Sequence, residues 1–196
     1  MRSRVTCLAT AVLVGVAASA FCQVTTPETN LHDFFCMNAI APYHEGRAAD
    51  EATRANVWQS LDQRLKLAKE LGIGSVRIDL WWDEIQPEKD RFTWDFTDKV
   101  MAGFQSNGIE PYPIFCYFAR WANGASPATD EDRALYAAYA AQTVERYHKQ
   151  IPYWEVWNEP NITPFWMPTP DAASYGKLLK QTYTAIKATQ ADALVV

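Results

Sequence analysis

Short apolar runs alternate with amphipathic helical stretches along most of the chain, and this alternation limits the possible folds more than any other feature. Residues 34–40, 75–80, 112–118, 153–158 and 193–196 read as strands, with a helix-period segment between each pair. Strands joined through helices cannot form hairpins; they lie parallel, with the helices packed on the sheet. The class is therefore α/β.

The helical segments carry their own punctuation. Over residues 56–71, Val57, Leu61, Leu65 and Ala68 recur at helical spacing, and Gly72 supplies a left-handed stop. Asp95 is placed to cap a helix whose Phe96, Val100 and Phe104 share a stripe and which Gly108 ends. Thr129-x-x-Asp132 has capping-box spacing before Leu135, Tyr139, Thr143 and Tyr147. Thr169-Pro170 opens the last helix, because proline at a first helical position lacks only a donor that has no partner there; Tyr175, Leu178, Leu179 and Ile186 form its buried stripe. Residues 193–196 begin a fifth strand.

The first twenty residues have the form of a secretory signal: Arg2 and Arg4, an apolar run over 7–18, and Ala18-Ser19-Ala20 as a cleavage site. The run is too short to span a bilayer, so no membrane association is expected after cleavage and the protein is expected to be secreted or periplasmic. Losing Arg2 and Arg4 takes the formal charge from -5 to -7, which argues against nucleic acid as a partner and favours a neutral ligand. Cys36 and Cys116 fall in strand-like runs and read as packed thiols, with a disulfide between them left open. His32, His44 and His148 are scattered without metal spacing, so neither a metal nor a cofactor is expected.

The stretch Tyr153-Trp154-Glu155-Val156-Trp157-Asn158-Glu159-Pro160-Asn161 puts a carboxylate at the carboxyl end of a strand, beside an amide and two indoles. Parallel barrels keep their active sites at that end. Pro160 biases Glu159 toward an extended conformation and ends the strand. By strand parity Glu155 alternates with Asn158, and it reads as a paired interior carboxylate with Arg77 as candidate partner.

Trp157-Asn158-Glu159-Pro160 after an apolar strand resembles the fourth-strand motif of clan A glycoside hydrolases. The continuation Asn161-Ile162-Thr163-Pro164-Phe165-Trp166 is similar to that of family 39, the xylosidase and iduronidase group, and members of families 5 and 42 share much of the rest. A second block, Val76 to Pro87 followed by Phe92-Thr93-Trp94-Asp95, resembles the clan's second-strand region.

The resemblance implies a (β/α)8 TIM barrel, of which this chain holds about the first four βα units plus the start of strand five, so that residues 21–196 form the amino-terminal half of a catalytic domain. It implies a retaining double displacement on poly- or oligosaccharides, with Glu159 as acid/base and Asn158 on the sugar 2-hydroxyl. It places the position of Arg77 beneath the active site, near the nucleophile. The nucleophile it implies, a Glu ending the seventh strand, has no counterpart in these 196 residues, so they are expected not to hydrolyse glycosides by themselves. The chemistry explains the residue types: cleavage needs one carboxyl protonated, to help the leaving oxygen depart, and another ionised close by.

Other positions carry two readings. Asn158 either touches sugar or caps a loop. Arg77 either pairs with Glu155 or serves the nucleophile. Trp121 and Trp166 follow the third and fourth strands, where an indole face stacks on a sugar ring or packs a loop. Tyr43 and His44 follow the first strand, at the barrel mouth or on a solvated loop. Asn161-Ile162-Thr163 matches a glycosylation sequon overlapping the sugar-site motif. The competing function is a non-catalytic carbohydrate-binding barrel.

Overall fold

The structure, a computed structural model, describes residues 36–38, 50–122 and 124–196. The expected signal segment, Tyr43 and His44 lie outside them. Strands β1 (Cys36–Met37), β2 (Ser75–Trp81), β3 (Glu110–Cys116), β4 (Tyr153–Val156) and β5 (Leu194–Val195) form one sheet in chain order, and every neighbouring pair is parallel. Helices α1 (Glu51–Glu70), α2 (Trp82–Ile85), α3 (Asp95–Asn107), α4 (Asp130–Tyr147) and α5 (Ala172–Thr189) fill the crossovers. A doubly wound sheet reverses its strand order at a switch point. An unbroken 1-2-3-4-5 order has no reversal, and a truncated (β/α)8 barrel fits it.

On β2, Val76, Ile78 and Leu80 are buried against the helices, while Ser75, Arg77, Asp79 and Trp81 on the other face are only partly covered. The helix-side layer is rich in aromatic rings. Trp154 stacks on Phe115 at 5.3 Å, and Phe115 meets Tyr139 edge-on at 5.5 Å. Among the described residues, no helix is long and apolar enough to cross a membrane.

Several helix ends depart from the sequence reading. Helix α1 starts at Glu51 instead of 56, because Asp50 accepts a bond from Thr53 N at 2.8 Å and caps it five residues earlier. Trp94, not Asp95, is the cap position of α3, and no side chain bonds the helix there. Helix α5 starts at Ala172, beyond Pro170, because the Asp171 carboxylate accepts from Ala173 N and Ser174 N at 2.9 and 3.1 Å. The capping box on α4 forms as expected, with Asp132 N to Thr129 Oγ1 at 3.1 Å and Thr129 N to Asp132 Oδ2 at 3.2 Å. Gly72 and Gly108, with φ of 76° and 63°, take the left-handed conformation that ends α1 and α3.

Three phenols tie the carboxyl ends of the strands to the helices behind them. Tyr139 OH donates to Leu80 O at 2.7 Å, Tyr136 OH to Phe115 O at 2.7 Å and Tyr175 OH to Val156 O at 3.1 Å. Each meets a carbonyl in the last two residues of β2, β3 or β4. At Phe115 the phenol adds a second donor to a carbonyl that already accepts Trp157 N at 3.0 Å.

Candidate active site

Strand β4 ends at Val156, and the next three residues turn sharply. Trp157 and Glu159 both have positive φ, 68° and 49°. The extended geometry expected at Glu159 from Pro160 is therefore absent. Packing explains the departure. Trp157 is buried among Trp166, Tyr136, Tyr117 and Phe118, with ring centroids 5.3 to 6.0 Å away, and its Nε1 donates to Phe165 O at 3.1 Å. Its backbone N still bonds Phe115 O of β3 at 3.0 Å. The turn holds this indole in the aromatic layer and leaves Glu159 exposed on the carboxyl-terminal rim of the parallel sheet.

The same turn resets the alternation of side chains. Strand parity set Glu155 and Asn158 on opposite faces, but in the structure both converge on Arg77. Arg77 Nε and Nη2 reach Glu155 Oε2 and Oε1 at 2.7 and 2.9 Å, a bidentate pair, and Nη2 also reaches Asn158 Oδ1 at 3.0 Å. The pair is partly buried, and the Glu155 hydrogen bonds raise the Arg77 pKa above its usual value. Of the two readings of Arg77, pairing with Glu155 is the one this geometry displays.

Asn158 has a third partner that sequence reading missed. Its Nδ2 donates to the hydroxyl of Tyr117 at 2.9 Å, just beyond the end of β3. Burial, foremost, pushes the Tyr117 phenol up, with the neighbouring Cys116 and Asp79 adding to it. The only signal for Tyr117 in the sequence was its place at the end of the third strand.

The tryptophans separate. Trp166 is 1% exposed and packs edge-on against Trp157 at 5.3 Å and Tyr175 at 6.0 Å. It has no open ring face, which corrects the sugar-stacking reading: the indole closes the underside of the loop. Trp121 is half-buried, its Nε1 donating to Gln86 O at 2.6 Å and its ring edge-on to Trp82 at 5.5 Å. The second-strand block thus organises the rim. Trp82 Nε1 bonds Gln86 Oε1 at 2.8 Å, and the buried Asp83 carboxylate accepts Arg120 N at 3.0 Å and Arg120 Nε at 2.8 Å, fixing the loop after β3.

A cavity of about 550 Å³ lies at the opposite end of the strands, lined by Cys36, Ser75, Glu110, Tyr112 and Tyr153 among others. These are first or early residues of their strands, so the cavity is remote from Glu159. Among the described residues no cluster of three His, Cys, Asp or Glu could hold a metal.

No family model matches the chain. Among solved structures, a family 39 glycoside hydrolase from Bacteroides cellulosilyticus WH2 superposes with a TM-score of 0.58 at 25% identity, covering 73% of this chain and 29% of that one. A β-glucosidase from Thermotoga maritima, in complex with azafagomine, gives 0.58 at 20% identity, covering 73% and 37%. The rice protein β-glucosidase-like SFR2, chloroplastic (Oryza sativa subsp. japonica), is 24% identical over 65% of this chain and 21% of its own length. The chain thus spans between about a fifth and two fifths of these relatives. The resemblance to clan A glycosidases read from the sequence holds in the structure: its neighbours are a family 39 glycoside hydrolase and β-glucosidases.

Proposed function

We propose that this chain carries the acid/base half of a retaining glycoside hydrolase that cleaves β-linked poly- or oligosaccharides outside the cytoplasm. The observation that carries the reading is the rim itself: Glu159 stands exposed past the carboxyl end of β4, next to an Asn158 held inward by the Arg77–Glu155 pair. In the first step the Glu159 carboxyl protonates the glycosidic oxygen as a second carboxylate attacks the anomeric carbon. In the second, Glu159 takes a proton from the water that displaces the enzyme from the sugar. The second carboxylate belongs to a later strand of the complete barrel, about 5 to 5.5 Å from the first. Residues 1–196 alone therefore do not turn over glycosides. Asn158 contacts the 2-hydroxyl of the bound sugar.

Proton NMR of the complete protein acting on an aryl β-glycoside tests the mechanism. The first product released is expected to be the β-anomer, before mutarotation. An α-anomer would replace the double displacement by inversion, and absence of turnover would favour a barrel that only binds sugar.

Export follows from the charged and apolar first twenty residues. Amino-terminal sequencing of the protein recovered outside the cytoplasm is expected to begin at Phe21. A protein that still carries Met1 and stays in the cytoplasm overturns this part of the reading.

A further inference from the structure

We propose that Tyr117 is a positioning residue: Arg77 sets which way round the Asn158 carboxamide sits, Tyr117 holds its nitrogen in place, and the pair makes the site selective for a sugar bearing a hydroxyl at the position Asn158 touches. The inference rests on the glycosidase reading and adds to it a residue on a different strand.

A carboxamide has an accepting oxygen and a donating nitrogen of nearly the same size, so an isolated Asn turns either way round. Arg77 can only donate, because its guanidinium keeps its charge. Whatever lies 3.0 Å from Arg77 Nη2 must accept, so the Asn158 oxygen is assigned to that side. Arg77 cannot swing away to relax this demand, because both oxygens of Glu155 hold its fork at 2.7 and 2.9 Å.

The Asn158 nitrogen then lies on the far side, 2.9 Å from Tyr117 OH. Tyr117 accepts there, and its ring is held edge-on to Trp81 at 5.7 Å and to Trp157 at 6.0 Å. Burial raises the phenol's pKa, so the hydroxyl keeps its proton; among the described residues its one hydrogen bond is the one it accepts from Asn158. One amide N–H and one phenol O–H are therefore left without an acceptor among the described residues, and an oxygen that accepts from either relieves that deficit. A sugar hydroxyl fits this pair of donors. A ring position lacking oxygen leaves both without a partner, and discrimination of that kind is strong because desolvated polar groups are costly to leave unpaired.

The test is a double-mutant cycle in the complete protein with Tyr117→Phe and Asn158→Ala, using a 4-nitrophenyl β-glycoside that the enzyme turns over and its 2-deoxy counterpart. Tyr117→Phe is expected to lower kcat/KM for the 2-hydroxy substrate about tenfold and to change the 2-deoxy rate less than twofold. The same substitution in the Asn158→Ala background is expected to change neither. Equal losses on both substrates, or additive losses around the cycle, overturn the role of Tyr117. Thermal melting of each variant separates these outcomes from loss of fold. Glu159→Gln, assayed in parallel on the 2-hydroxy substrate, tests the underlying reading alone: if it keeps wild-type rates, the glycosidase assignment fails, whatever Tyr117 does.

Discussion

Replacing Glu159 by glutamine in the complete protein is expected to lower turnover of a disaccharide about 10²- to 10⁴-fold, the range that general acid catalysis supplies. Glutamine is the same size and has no proton to give at neutral pH, so a poor leaving group departs unassisted. A dinitrophenyl glycoside needs little assistance, and its first step should fall far less; its slow step becomes attack by water, since the base is missing too. Azide, which needs no base, should then accelerate the Glu159→Ala variant and yield a β-glycosyl azide. Because the side chain is exposed, the melting temperature should hardly move. Wild-type rates on the disaccharide, or no response to azide, would remove Glu159 from the role.

Trp157→Ala should have the largest effect on stability. The indole is 2% exposed, packed by four other aromatic rings, and bonded through Nε1 to Phe165 O. Truncating a buried tryptophan typically costs about 3–5 kcal/mol, a large share of the roughly 5–15 kcal/mol that holds a domain together. For a unit of this size that lowers the melting temperature by about 10 °C. The backbone adds a second sign to check. At φ of 68° alanine is as strained as tryptophan, whereas glycine is not, a difference of about 1 kcal/mol. Trp157→Gly should therefore be no less stable than Trp157→Ala, although it removes one more carbon. If glycine proves clearly worse, the left-handed turn is not what the protein maintains at that position.

The hydrophobic periods made the order of strands and helices legible, because burial of one helix stripe and one strand face is a local matter of residue spacing. The chain ends of elements were less so. Asp50 and Asp171 cap from outside the apolar stripes, where spacing carries no information. In the site, the carboxylate at 159 and the Arg77–Glu155 pair were readable from residue type at strand ends. The face on which Glu155 and Asn158 meet was not, since alternation assumes an unbroken strand and Trp157 breaks it. Nor could residue type separate Trp121 from Trp166: both follow a strand, and only the packing of Trp166 under Trp157 and against Tyr175 shows that its faces are covered.

The phenols of Tyr136, Tyr139 and Tyr175 give the outer helices a direct grip on the three strand ends that frame the mouth. Any shift of α4 or α5 must either carry these strand ends with it or break a hydrogen bond. Sequence change on the far side of the sheet can therefore reach the carboxyl-terminal rim where Glu159 stands without altering any residue on that rim.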